Sequence, residues 1–280
     1  MPRPFAFAGV ALLLSLSLSL GGCLGAKVLE VPDMREVEFK DLISAIRDKR
    51  IVFIGEFHDS RAHHAFQFNI IKGLNESGVR VALGLEMFRR ESQQDLDRWS
   101  AKDMSIEKFT KVYYDNWKIP WPYYRDIFIY AREHGIPLVA LNIPWKTIKK
   151  VVKEGFSSLS PDEAMGLTGV RCEVDRAYEE MILEAMGEHS GEGDVSFKNF
   201  CEAQLLWDKA MAKRIEEYLR ENPGRNMVVI AGGAHSWRRG IPRNLGEDSL
   251  SYTVLLPELS DAIDRDSATK DDADYLWIDP

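Results

Sequence analysis

Apolar residues along the chain fall into two patterns whose alternation sets the architecture. Unbroken apolar runs occur at IVFIGE (51–56), VALGLEMF (81–88), PLVALNIP (137–144), NMVVIAGGAH (226–235) and YTVLLP (252–257). A strand that is apolar at successive positions must be covered on both faces, the situation of a parallel sheet between helical layers. Between the runs, apolar residues recur at helical spacing: Phe39, Leu42, Ile43 and Ile46 mark a helix over 38–49. Further helices are predicted over 60–76, 91–111, 122–134 and along 160–221. The order is therefore α/β, a mainly parallel sheet flanked by helices. One domain spans 36–258, with 157–221 as a helical cap or insertion. Residues 23–35 read as a tether, and 259–280, rich in aspartate, as a loosely held acidic tail.

The first 22 residues follow neither pattern. Arg3 precedes FAFAGVALLLSLSLSL, a run of 16 residues. A bilayer span needs about 20, so the run suits a secretory signal peptide. It closes on Leu20, Gly21, Gly22 and Cys23, which resembles a bacterial lipobox, where small residues admit the signal peptidase and the thiol takes a diacylglycerol. The alternative is an ordinary cleaved signal with an incidental cysteine. A lipidated Cys23 would hold the mature protein on a membrane without crossing it. That places it in the bacterial cell envelope, and Leu24 in place of aspartate favours the outer membrane. Cys172 and Cys201 could pair in such a compartment or stay as two buried thiols. No Cys-x-x-Cys occurs, which weighs against a zinc ribbon and against covalent c-type haem attachment. The formal charge of −8 argues against nucleic acid as a partner.

In open parallel sheets, ligands bind beyond the carboxyl ends of the strands. There the first run delivers Glu56 and His58, the second Glu86, the third Asn142 and the fourth His235 after Gly232 and Gly233. Four strands carrying ligating or hydrogen-bonding groups to one edge point to a site. Each has a plainer explanation alone: Glu56 and Asp59 as caps of the next helix, His58 as a structural histidine, the glycines as turn residues. Glu86, set between Leu85 and Met87, is harder to dismiss, because a buried carboxylate needs a partner. His64 and Gln67 lie one helical turn apart and could line the same site.

Aromatic residues supply the second signal. Residues 109–130 hold nine of the chain's 29 aromatics, where an even spread would place about two. Core packing accounts for a stripe of Tyr124, Ile127, Phe128 and Ala131. It leaves the WKIPWPYY turn, with Trp117, Trp121 and Tyr123, and the preceding Tyr113 and Tyr114. Flat apolar walls with phenols at hand suit a planar hydrophobic ligand, and tyrosinate is an axial ligand of haem iron in some proteins.

Together GEFHD…HHAFQ, GLEMF, WPYYRDIFIYAREHGIPLVALNIP and AGGAHS resemble the ChaN family of haem-binding bacterial lipoproteins, within the wider Tiki, TraB and erythromycin-esterase superfamily. The resemblance runs over residues 50–240. It sets the paired Gly-x-x-His motifs on Gly55 to His58 and Gly232 to His235, with Glu56 and Glu86 at the acidic positions. It implies haem as cofactor, held at the interface of a homodimer, in iron uptake alongside an outer-membrane haem receptor. On that reading His58, His64 and His235 bond propionates or iron, and Gln67 and Asn142 line the site. A tyrosine among Tyr113, Tyr114, Tyr123 and Tyr124 is the axial ligand, and Trp117 and Trp121 wall the pocket. The superfamily also contains metal-dependent hydrolases. The rival is therefore a manganese, zinc or cobalt site on His58, Glu86 and His235, with Glu56 or Glu86 as general base.

Overall fold

The computed structural model describes residues 27–188, 195–246, 250–259 and 263–278. The predicted signal peptide and Cys23 lie outside the described residues. Strands β1 (Lys27–Glu30), β2 (Arg35–Val37), β3 (Ile51–Glu56), β4 (Val81–Arg89), β5 (Leu138–Asn142), β6 (Asn226–Gly232), β7 (Tyr252–Pro257) and β8 (Tyr275–Ile278) form one sheet. Their order is β2-β1-β8-β7-β3-β6-β4-β5. From β8 to β5 every pairing is parallel, and only β1 runs antiparallel to its neighbours.

The unbroken apolar runs are explained by which face each residue meets. In β3, Val52 and Ile54 point into a core under helices α1 (Phe39–Ile46), α2 (Arg61–Glu76), α3 (Gln93–Ser100), α4 (Ile106–Asn116) and α5 (Arg125–Glu133). Ile51 and Phe53 point the other way, into a core under α7 (Arg176–Glu188) and α8 (Phe197–Glu221). Each such side chain, taken fully out of water, contributes about 1.5–3 kcal/mol. A smaller third core joins α6 (Trp145–Glu154) to α8.

Several boundaries differ from expectation for local reasons. The stretch 91–111 is two helices, because Lys102 adopts φ 63° and Ser105 starts a new helix by accepting from Lys108 N. Helix α6 was not anticipated. Residues 160–175 are turns and extended chain rather than helix, with Met165, Gly166 and Gly169 all at positive φ. Between β5 and β6 the chain thus forms α6, α7, α8 and the loops between them. Cys172 and Cys201 form a disulfide that ties this loop to α8, which resolves the open choice.

Among the described residues, the predicted tether and acidic tail are not loose, since both supply strands. Residues 275–278 insert between β1 and β7, with Leu276 and Trp277 buried. The acids of the tail are internally bonded: Asp272 accepts from the Trp237 indole, and Asp274 from Val254 N and Thr253. Average composition there hid a short apolar segment whose hydrogen bonds complete the sheet.

Candidate functional site

Glu56 ends β3 as a strand residue, so the helix-cap explanation fails. The cap of α2 is Ser60, whose hydroxyl accepts from His63 N. The Glu56 carboxylate is wholly buried. One oxygen accepts from His58 Nδ1 at 2.8 Å and from the Tyr124 hydroxyl. The other accepts from Gln67 Nε2 at 2.7 Å and lies 3.4 Å from His64 Nδ1. His64 Nε2 faces the His58 carbonyl at 3.0 Å, and its Nδ1 also faces Gln67 Oε1 at 3.1 Å. Both ring nitrogens of His64 therefore meet only acceptors, which makes the ring an imidazolium.

The electrostatics follow. Burial alone would raise the Glu56 carboxyl, but the hydrogen bonds and charges of His58 and His64 outweigh it and hold it far below the usual range. Burial pulls His58 down, yet its bond to Glu56 and the charges of Glu86, Glu56 and Asp59 raise it to about 9. His64 is opposed by burial and raised by Glu56. Tyr124 is pushed well above its ordinary value by burial and by Glu56, so its phenol stays protonated. Tyr113 is likewise raised by burial, and its hydroxyl donates to Ile119 O. Neither buried phenol is poised as a phenolate ligand.

A second cluster sits across Gly232. Glu86, from β4, accepts from Gly232 N at 2.7 Å and has its other oxygen 3.8 Å from His235 Nε2. His235, on the short helix α9 (Gly233–Ser236), bonds Asp208 through Nδ1 at 2.6 Å, and Asp208 accepts from the Tyr178 hydroxyl at 2.6 Å. Burial raises Asp208, whereas His235 is raised against burial by Glu86 and Asp208. Asn142 donates to Glu86 O and accepts from Ile143 N and the Trp207 indole. Gly232 lets the clusters meet: a β-carbon there would lie 3.3 Å from His58 Nε2 and 3.6 Å from Glu86 Oε2.

The predicted residues thus separate by role. Glu56, His58, Glu86, Asn142 and His235 converge at the strand ends. His64, Gln67 and Tyr124 are buried behind His58 and hold Glu56 in place. Trp121 is a core residue, stacked 5.4 Å from Phe128, and Phe109 stacks 4.1 Å from Trp99. Much of the aromatic enrichment is therefore core packing. Trp117 and Tyr123 do reach the mouth of the site. The Trp117 ring stands edge-on to His58 at 4.8 Å, and its indole N–H has no hydrogen-bond partner. Tyr123 lies edge-on to His64 at 5.9 Å, under the Arg61 guanidinium at 4.5 Å. Among the described residues no group of three or more His, Cys, Asp or Glu is arranged to hold a metal ion.

Sequence reasoning missed Asp208, Tyr178, Trp207 and Arg61. Asp208 carried a usable signal. It falls on the buried stripe of α8 with Cys201, Met211, Ala212, Ile215 and Leu219, where a lone carboxylate requires a partner.

A family model described as haem-binding uptake, Tiki superfamily, ChaN, matches residues 42–245. Among solved structures, ChaN of Campylobacter jejuni, described with cofacial heme binding, aligns with a TM-score of 0.70 at 18% identity, covering 90% of this chain and 96% of that one. A mutant of the erythromycin esterase EreC in its open conformation aligns at 0.50 and 13% identity, covering 78% and 72%. At these identities the likeness is one of fold. Protein RETICULATA-RELATED 5 of Arabidopsis thaliana, chloroplastic, is 24% identical over 276 residues, and the match covers 90% of this chain but 37% of that protein. The chain thus spans little more than a third of that relative. By the extent of the family match, the chain belongs to the haem-binding uptake family ChaN of the Tiki superfamily.

Proposed function

We propose that this protein binds haem at the carboxyl end of its sheet, against His58, Trp117 and Tyr123, as a lipid-anchored protein of bacterial haem and iron uptake. The carrying observation is the partly exposed, positively charged His58 at the strand ends, with the Trp117 ring edge-on to it at 4.8 Å. A cationic imidazole beside an aromatic ring suits a planar ligand that carries an anion, and a haem propionate is such an anion. Arg61 adds a second cation. Haem bound there would supply an iron centre open to a protein ligand. Tyr123 and His58 are the residues placed to offer one, and a charged His58 would first have to release its proton. Mutual stacking of two copies at this mouth would account for a homodimer.

The envelope location rests on the signal-like N-terminus and on the Cys172–Cys201 disulfide, which suits an oxidising compartment. Acylation of Cys23 is tested by labelling cells with a fatty-acid probe. The wild type should take the label and Cys23→Ala should not, and an unlabelled wild type would remove the anchor. The haem reading is tested by haemin titration of the purified chain from Leu24 onward. Saturable binding that weakens at least about tenfold in Trp117→Ala supports it, while binding indifferent to Trp117 and His58 rejects it.

A second reading has one observation behind it. The Tyr178–Asp208–His235 chain holds an imidazole with Nε2 directed at Glu86, the arrangement of an oriented proton donor, a general acid. Hydrolysis of an activated ester that disappears in His235→Ala would favour it.

A further inference from the structure

The central strands β3, β6, β4 and β5 run parallel, so the sheet has a second edge where all four begin, opposite His58. A surface cavity of about 300 Å³ lies there, across the starts of β4, β5 and β6. Small-molecule sites begin at about this volume. Its polar lining is Asn75, Arg80, His134 and Arg225, and it includes no carboxylate. Val81 at the cavity and Glu86 at the strand ends are separated by about 17 Å along β4. The cavity is therefore distinct from the site at His58.

Two guanidiniums cross the seam between β4 and β6. Arg80, at the start of β4, lies over Gly224, with Nη1 3.1 Å from where a β-carbon there would stand. Arg225, at the start of β6, reaches back and donates from Nη1 to Val81 O at 3.1 Å. Among the described residues neither side chain forms an ion pair, and the Arg80 guanidinium donates no hydrogen bond. The other arginines at this end are spent on backbone. Arg47 donates to Ser77 O at 3.1 Å, and Arg50 to Pro223 O at 2.8 Å and to Leu219 O and Arg225 O. A guanidinium carries five N–H donors, so Arg80 and Arg225 keep nearly all of theirs for a ligand. The acids at this end stand outside the lining: Glu76 faces Lys72 at 3.8 Å, and Asp48, Glu133 and Glu221 are exposed.

The remaining polar groups complement the arginines. His134 stacks on Tyr130 at 3.9 Å, and its Nδ1 donates to the Tyr130 carbonyl at 2.9 Å, which leaves Nε2 for a ligand. A neutral Nε2 accepts from the P–OH of a phosphate monoanion, and a charged one donates to the dianion. Asn75 gives one amide proton to the Tyr130 hydroxyl and keeps the other.

We propose that this cavity is a binding site for a phosphate group, as the free ion or as a small phosphate monoester. Guanidinium forks from two different strands each suit a pair of oxygens. A tetrahedral phosphate offers oxygens in more than one plane and can meet both forks, whereas one fork fills a carboxylate. In a chain of charge −8, an anion is drawn here by these local contacts and not by the overall field. The inference goes beyond haem binding and does not depend on it.

The test is calorimetric titration of the chain from Leu24 onward, which keeps every described element, at low ionic strength. The probes are inorganic phosphate and glycerol phosphate, and saturable one-to-one binding of at least one is expected. The tighter of the two identifies the ligand as ion or ester. A hydrogen bond to a charged group is strong enough that Arg80→Gln and Arg225→Gln should each weaken binding at least about tenfold. Arg80→Lys, which keeps the charge but not the fork, should fall between Arg80→Gln and the parent. Arg171→Gln, at an exposed arginine in the loop before α7, makes the same change in net charge and should leave affinity unchanged. Arg225→Gln also removes a bond to Val81 O, so its melting temperature is measured alongside. Arg80→Gln breaks no bond within the protein and decides the matter if Arg225→Gln unfolds. Citrate, with more charge but only flat carboxylates, should bind at least about tenfold more weakly than the better probe. No saturable binding of either probe, equal affinity for citrate, or equal affinity in the parent and Arg80→Gln overturns the proposal.

Discussion

Replacing Glu56 by glutamine tests the inner half of the site. The carboxylate has four donors around it: His58 Nδ1, the Tyr124 hydroxyl, Gln67 Nε2 and the His64 imidazolium. An amide of the same shape has one oxygen, so half of these donors would face N–H groups instead. It also removes the negative charge that balances His64, whose ring is 2% exposed. Breaking a buried ion pair from one side costs about 3–5 kcal/mol, and His64 recovers part of that by losing its proton. A net loss of about 3 kcal/mol is expected, or roughly 10 °C in Tm for a chain of this size. The pH dependence gives a second signature. The folded-state pKa of His58 is raised from 6.5 to about 9, so its contribution is full below pH 6.5 and is lost as pH rises through 9. His64 has the same sign. Glu56, with its pKa lowered, contributes above the ordinary carboxylate range and loses that contribution as pH falls. Because His58 is 35% exposed, solvent screening reduces its share to about 1 kcal/mol. Urea unfolding between pH 6 and 9.5 should show falling stability in the parent and a flatter profile in Glu56→Gln. An unchanged midpoint together with an unchanged pH slope would refute the buried ion-pair account.

Other substitutions separate the parts of the structure. Trp121→Ala should cost about 3–5 kcal/mol of stability through its lost stacking on Phe128, whereas Trp117→Ala should leave Tm within a few degrees and act on ligand affinity, read by paired melting and haemin titration. Reducing the Cys172–Cys201 disulfide, or replacing both cysteines by serine, should lower stability by about 3–4 kcal/mol for a loop of 29 residues, measured by denaturant unfolding with and without reductant. Tyr124→Phe should destabilise the fold by removing a buried donor to Glu56 while leaving any ferric haem spectrum unaltered.

The sheet was legible because burial on both faces leaves a direct mark, the unbroken apolar runs of β3 to β7. Its edges were not: β1 and β8 are short, their neighbours are charged, and their pairing is decided across the whole length of the chain. The strand-end residues Glu56, His58, Glu86, Asn142 and His235 could be named because α/β topology delivers them to one edge. Their division into two clusters across Gly232 could not be seen, since it depends on helix α8 bringing Asp208 and Trp207 from more than sixty residues beyond β5. The aromatic segment was visible as an excess, but core and surface aromatics look alike in sequence. Trp121 and Trp117 stand four residues apart, and only packing shows that the first is stacked inside while the second meets His58.

The most direct test is a haemin titration of the chain from Leu24 onward, followed by difference absorbance, on the parent, His58→Ala, Tyr123→Phe and His134→Ala. His134 is exposed beside Arg80 and Gly135, at the other end of the sheet, and serves as the control. Saturable binding is predicted, at least about tenfold weaker in His58→Ala, with an altered ferric spectrum in Tyr123→Phe and no change in His134→Ala. Equal affinity and identical spectra in all four proteins, or no saturable binding in any, would contradict a haem site at the carboxyl end of the sheet.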